Sequence, residues 1–286
     1  MSQAKSITPG LWTMPKGEFE ESVAALERAV VAAHGAPVLL FDRFRTDPTY
    51  AARIAHAMLS DGAASPLETR LAQLIMGRNI FTDADWMSYY NATFTKRQLR
   101  EAGKFPWGEE ILNGPCPFTP GKLVKDTHFA FLGIEKLNGV PLTVAQLLTM
   151  HPGPKQPKFY HRSAPWHAGQ FHTDVTTMQL RWYLMLKNIV PGSVNQTSEE
   201  QIKLLPPEYE VPSTIAEVTK SLLVFRKMQE RCNPSVWAAC AERTIGTPLA
   251  YAGSVSCVGN FGENGLNVSI WDCNRCGIGV GASRKL

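Results

Sequence analysis

The sequence has no uninterrupted apolar run of the roughly eighteen residues that a membrane-spanning helix requires. Its first ten residues carry Ser, Gln, Lys and Pro in place of an apolar signal core. Neither a membrane span nor export by the usual secretory route is therefore expected; the sequence implies synthesis in the cytosol and leaves virion or surface display open. An excess of one charge sign is also lacking. The 29 Lys and Arg stand against 25 Asp and Glu, a formal charge of +4, too small and scattered to imply a nucleic-acid or membrane-surface partner. The serine elbow GxSxG, the phosphate loop GxxxxGK[ST] and the zinc helix HExxH do not occur, which removes the chemistries that depend on those phrases. Internal repeats and low-complexity tracts are missing as well.

What is present suits one large or two modest domains: 286 residues, 44% of them hydrophobic, enough for a buried core. From Gly17 to His34, Phe19, Val23, Leu26 and Val30 recur at three- and four-residue intervals and predict an amphipathic helix. The run Val38 to Phe41 reads as a strand. Asp47-Pro48 marks a helix start. Ser65-Pro66-Leu67-Glu68 is a capping box opening a helix that carries Leu67, Leu71, Leu74 and Ile75. Residues 17 to about 113 are expected to be mostly helical, with Trp86, Tyr89 and Tyr90 as packing groups. Downstream, HFAFLGI (128–134) and LRWYLML (180–186) read as strands, Thr143 as the cap of a helix through Met150, and Ser213 as the cap of a helix bearing Ile215, Val218, Leu222 and Phe225. Pro152 to Pro165 is a punctuated loop. The last 38 residues hold no Pro but 7 of the 22 Gly, and their short apolar runs predict a small meandering antiparallel sheet with turns at Gly259, Gly262 and Gly265.

Two groups of side chains could carry chemistry. His151, His161, His167 and His172, with Asp174 behind them, are the residue types that hold zinc or iron. Their spacing is not that of a compact site, and hydrogen-bonded or exposed loop histidines beside Trp166 and Phe171 are the preferred reading. The six cysteines are uneven: Cys116 stands alone, while Cys232, Cys240, Cys257, Cys273 and Cys276 fall in the final 55 residues. Cys273 and Cys276 form CxxC, half of a zinc site or a redox dithiol. A zinc site wants a second close pair, which the spacing of Cys232 and Cys240 does not provide. A redox pair wants to open a helix, whereas Gly277 and Gly279 imply a hairpin. Cys232 and Cys240 read as small apolar groups on helical stretches and Cys257 as part of a strand. No catalytic residue, metal or cofactor is expected.

Two phrases carry a resemblance: Tyr209-Glu210-Val211-Pro212-Ser213-Thr214-Ile215-Ala216-Glu217-Val218 and the ending Gly277-Ile278-Gly279-Val280-Gly281-Ala282-Ser283-Arg284-Lys285-Leu286. Together they resemble the C-type-lectin fold in the branch shared with formylglycine-generating enzymes, where a helix opens with a Leu-Pro-Thr-x-x-Glu-like phrase and the chain ends in Gly-apolar-x-x-x-Arg. Within that branch, GLNVSIWDCNRCGIGVGASRKL is similar to the variable region of target proteins of diversity-generating retroelements. The likeness is best over residues 180–286; upstream, LIMGRNIF and KDTHFAFLGI resemble bacterial proteins that carry such tails.

The resemblance implies an α+β chain: a mostly helical region over residues 1–120, then a C-type-lectin-like ligand-binding domain over 121–286 with a variable tail from about 254. It implies a non-enzymatic, receptor- or adhesin-like protein for an unidentified protein or cell-surface ligand. Variable side chains would stand on a rigid scaffold, so that their identities change without refolding. Trp271 would be the anchor, Asp272 and Arg275 the charged contacts, and Asn260, Asn264, Asn267, Ser269 and Asn274 an adaptable hydrogen-bonding rim. In such systems template adenines are copied with errors, so an Asn codon becomes any codon ending in the same pyrimidine. Ser269, Ile270, Asp272, Cys273, Asn274, Arg275, Cys276 and Gly277 are reachable in this way and Trp271 is not, which makes Cys273 and Cys276 random draws on a recognition surface. Two alternatives stand beside this reading. One is an enzyme of the formylglycine-generating type using Cys273 and Cys276, from whose pattern the spacing here departs; the other is a metal-dependent enzyme built on the four histidines.

Overall fold

The structure is a computed structural model; it describes residues 67–160, 168–246, 252–271 and 277–286, with isolated positions in the first 46. The chain divides into two compact units, Met1–Ala64 and Ser65–Leu286. In the first, Ala24, Arg28, Val31, Val38, Asp42, Arg45 and Thr46 are helical. Arg45 Nη2 sits 2.8 Å from Asp42 Oδ1, and the Thr46 hydroxyl donates to Asp42 O at 2.8 Å. Val38 therefore belongs to a helix and not to the expected strand; a four-residue apolar run is too short for periodicity to separate the two. The capping box at residues 65–66 and the start at Asp47-Pro48 lie outside the described residues.

The second unit is α+β. Its larger sheet has the order β1-β2-β5-β11-β6, built from β1 (Ile80–Phe81), β2 (His128–Leu132), β5 (Trp182–Leu186), β6 (Tyr209–Glu210) and β11 (Ser283–Arg284). β1 runs parallel to β2, with Ile80 opposite Ala130. β2 and β5 are antiparallel, and both are buried at every position, as their continuous apolar runs require. The last strand inserts antiparallel between β5 and β6, Ser283 facing Met185 on one side and Glu210 on the other. The second sheet, in the order β10-β7-β8-β9, comprises β7 (Trp237–Arg243), β8 (Val255–Gly262), β9 (Gly265–Trp271) and β10 (Ile278–Val280). A short hairpin joins β3 (Lys136–Leu137) to β4 (Val140–Pro141).

A helix over Thr214–Met228 packs against β2 and against β7, β8 and β9, and 13 of its 15 residues are buried. A helix covered on all sides needs no polar stripe. Ser213 caps it, its hydroxyl accepting from Ala216 N at 3.4 Å. Thr143 likewise caps Val144–Met150 through Gln146 N at 3.1 Å. Phe81, Trp86, Phe129 and Phe131 are each fully buried in the main core, contributing roughly 1.5–3 kcal/mol apiece.

Several sequence expectations are corrected. The boundary at 120/121 falls inside one unit: β1 pairs with β2, Trp86 Nε1 donates to Leu132 O at 2.8 Å, and Trp182 Nε1 donates to Ala102 O at 2.6 Å. The helix Leu67–Met76 buries Thr69, Ala72 and Met76 and leaves Leu71 and Leu74 exposed. Its inner face is set by tertiary contact, the Thr69 hydroxyl donating to Gly103 O at 3.0 Å. Cys240 lies in β7 and Cys232 in a bend after the long helix, not on helices, although both are buried as expected. The C-terminal sheet is not a simple meander, because β10 pairs parallel with β7. Among the described residues no helix is long and apolar enough to cross a membrane.

Candidate functional site

The β8–β9 hairpin brings the predicted asparagines together. The strands are antiparallel, Val258 opposite Val268 and Gly259 opposite Asn267, and they turn through Glu263-Asn264. Alternation sends Leu266 and Val268 into the main core, with Ile270 packed against it. It places Asn267 and Ser269 on the other face, beside Gly259 and Cys257. The hairpin tip is held from outside: Tyr160 N donates to Leu266 O at 2.8 Å, Leu266 N to Lys158 O at 2.7 Å, and Gln156 Nε2 to Glu263 O at 2.7 Å. This approach requires Gly265. Its φ is +113°, and a Cβ there would stand 2.6 Å from both Lys158 O and Phe159 C.

Between Tyr160 and the hairpin lies a hollow of about 240 Å³, lined by Tyr160, Asn260, Gly262, Asn264, Gly265 and Asn267. An adjoining, more open hollow of about 320 Å³ shares Tyr160 and Asn264 and continues along Pro152, Gly153, Pro154, Lys158 and Phe159. Asn260 holds a left-handed backbone, φ 44°, while its N–H donates to Val236 O at 2.8 Å. Asn260 and Asn264 are exposed, but Asn267 is only 5% exposed. None of the three carboxamides is hydrogen-bonded to a described residue, and none of their atoms is among the buried polar atoms left without a partner, so all three still reach solvent.

Three of the expected recognition residues thus converge. Ser269, 9% exposed, lies further along β9 and does not line the hollow. Asn267 and Ser269 are consequently buried positions and not part of an exposed rim, because their strand is covered on both faces. The backbone of Trp271 ends β9 opposite Val255. Asp272, Cys273, Asn274, Arg275 and Cys276 lie outside the described residues, as do His161 and His167. Tyr160, Lys158 and Gln156 were not anticipated. Their only signal is a position in the proline-punctuated loop, which says nothing about what the loop packs on.

The remaining candidates read as structural. His151 is 3% exposed, with Nε2 3.4 Å from Tyr90 Oη; burial first, and then the Arg226 charge, lower its pKa to about 4. His172 is buried too, and its pKa is lowered by burial. Among the described residues no three His, Cys, Asp or Glu side chains are grouped to hold a metal. Cys116, Cys232, Cys240 and Cys257 are free, buried thiols. Burial raises Cys232 to about 12 and pushes Cys240 and Cys257 well up, so these sulfurs are not nucleophiles.

His128, which the sequence did not single out, is fully buried, and burial lowers its pKa to about 3. The Thr127 hydroxyl donates to Leu123 O at 3.1 Å and so accepts from His128 Nδ1 at 2.9 Å. That leaves Nε2 to accept from the Tyr209 hydroxyl at 3.1 Å. The neutral ring thereby ties β2 to β6.

The long helix also contains a buried ion pair. Lys220 Nζ lies 2.5 Å from Glu217 Oε1, both side chains being 0% exposed. Lys220 also donates to Leu186 O at 2.9 Å, and Asn233 Nδ2 to Glu217 Oε1 at 3.3 Å. Burial outweighs Lys220 and raises the Glu217 carboxyl. Neither hollow reaches this pair.

No protein-family model, no curated protein and no solved structure matches this chain.

Proposed function

We propose that this chain is a non-enzymatic ligand-binding protein whose C-terminal surface is varied by retroelement mutagenesis, on a C-type-lectin-like scaffold. The observation that carries the reading is the convergence of Asn260, Asn264 and Asn267, unpaired, around one hollow on a hairpin fixed by Gly265. Carboxamides that find no partner within the fold remain free for one outside it. The scaffold reading is supported by the final strand, which returns between β5 and β6, and by the long capped helix beneath the second sheet. Trp271, Asp272, Cys273, Asn274, Arg275 and Cys276 would extend the surface from the end of β9.

Sequencing the gene and its surroundings tests this. Pyrimidine third bases at codons 272–277, a near-copy of the tail differing only at template adenines, and an adjacent reverse transcriptase are the expected result. Purine third bases across those codons, with no such copy, would overturn it.

A further inference from the structure

We infer that the protein closes a covalent bond within itself, an isopeptide link from Lys220 Nζ to Asn233 Cγ, with Glu217 as the group that moves the protons. The inference is independent of the ligand-binding reading. Lys220, Glu217 and Asn233 are each 0% exposed. Lys220 Nζ lies 2.5 Å from Glu217 Oε1, and Asn233 Nδ2 donates to that same oxygen at 3.3 Å. An amine, a carboxyl and a carboxamide therefore meet at one atom in a site closed to water. Asn233 is also held in place: its backbone is left-handed, φ 49°, and its N–H donates to Asn188 Oδ1 at 2.9 Å.

Two features exceed what an ion pair needs. Glu217 Oε2 is buried without a partner, an expensive state for a carboxylate and a useful one for a group that must receive a proton. Asn233 Oδ1 accepts from Ile189 N–H at 2.8 Å. That donor polarises the carboxamide and stands where negative charge would collect if a nucleophile attacked Cγ.

The chemistry closes without a co-reactant. Burial raises the Glu217 carboxyl against the pull of Lys220, so it is fitted to take one proton from the ammonium and leave a neutral, nucleophilic amine. The Nζ lone pair forms the bond to Cγ, and the carbonyl pair moves onto Oδ1, beneath the Ile189 N–H. Glu217 then gives its proton to Nδ2 and takes one from Nζ. The Cγ–Nδ2 bond breaks, its electron pair leaves with the nitrogen as ammonia, and the carbonyl reforms. Ammonia recovers the last proton from Glu217 and departs as ammonium. Nothing is oxidised or reduced. Glu217 itself is the poorer electrophile, because its carboxyl has no donor on Oε2 to polarise it.

The link would tie the last turns of the long helix to the bend that leads into β7. Its ring is short, so the gain from restricting the unfolded chain is modest. The larger change is local: a neutral amide takes the place of a buried ammonium, at the end of the helix that supports β7, β8 and β9.

Intact-mass measurement on the full, denatured chain tests the inference. Most molecules are expected to be lighter than the sequence mass by one ammonia, and tandem mass spectrometry of a protease digest should find the Lys220 peptide joined to the Asn233 peptide. Glu217→Gln, which cannot carry the proton, and Asn233→Ala should both return to the full mass expected of their sequences. The unsubstituted chain decides the matter even if neither variant folds. Full sequence mass, an ammonia loss mapped to other residues, or a water loss mapped to a Lys220–Glu217 bond would overturn the link. Its persistence at the same extent in Glu217→Gln would overturn the role of the carboxyl.

Discussion

The helix Thr214–Met228 and the β8–β9 hairpin both hold polar side chains away from bulk solvent, but the helix sets most of its own against buried neighbours while the hairpin turns its carboxamides toward a hollow. Around the helix, Lys220 is matched by Glu217 and Leu186 O, Asn233 by Glu217 and Ile189 N, and Thr214 by Glu242 and Ser256, while Glu217 Oε2 and Thr219 Oγ1 are buried without a partner. On the hairpin, Asn267 is 5% exposed, yet its carboxamide lines the hollow and is not among the buried polar atoms left without a partner. Polar groups satisfied internally hold elements in register, and removing one partner strands the other. Polar groups that open on a hollow keep their contact with water, add little to stability and remain available to a ligand.

The sharpest way to break this contrast is at the helix. Lys220→Met leaves Glu217 and Leu186 O without their partner, and urea unfolding should show a loss of about 3–5 kcal/mol. Adding Glu217→Leu should restore much of it, since an apolar pair removes the stranded carboxyl. Next comes the hairpin brace. Gly265→Ala places a Cβ against the backbone of residues 158–159 in a left-handed conformation, so a loss of about 1–3 kcal/mol should accompany faster hydrogen exchange at Tyr160 and Leu266.

Acid should then act on the interior alone. His128 is neutral in the fold, its pKa depressed to about 3 from 6.5. Its contribution is present above pH 6.5 and is lost as pH falls toward 3, because the unfolded chain takes up the proton first. At pH 5 the loss from His128 is about 2 kcal/mol, and His128→Gln should flatten the fall in thermal midpoint. No carboxylate, imidazole or ammonium lines the smaller hollow, so ligand affinity of the folded protein should stay level from pH 5 to 8. Smallest is Asn267→Leu. It removes an unmatched polar group, and stability should move by no more than about 0.5 kcal/mol or rise slightly, by thermal melting, even as binding is lost.

Legibility followed the range of the signal. The caps at Thr143 and Ser213 and the strands β2 and β5 were readable because each rests on neighbours within a few residues or on an unbroken apolar run. The two residues of β1, the two of β6 and the Cys240 strand were not, because their strand character comes from distant partners: β2 for the first, β11 for the second, β8 and β10 for the third. Glycine at 259 and 265 was legible as special but for an incomplete reason. At both positions a Cβ would strike the backbone of another segment, Val236 and residues 158–159 respectively. The asparagines were legible as a set; that Asn267 is buried while Asn264 is exposed was not, since strand alternation gives a side but not what covers it.

By itself, then, the sequence determined the α+β class, the capped helices and the burial of Cys232 and Cys240, and it singled out Asn260, Asn264 and Asn267, which the fold brings around one hollow. Tertiary structure decided which strands lie side by side, moved the unit boundary to 64/65, buried Thr69 in place of Leu71 and Leu74, and set Tyr160 against the hairpin to make a hollow. The physical reason is one of range. Caps, turns and periodicity are settled by bonds between near neighbours, whereas pairing partners and cavities depend on where remote segments find their complementary surfaces.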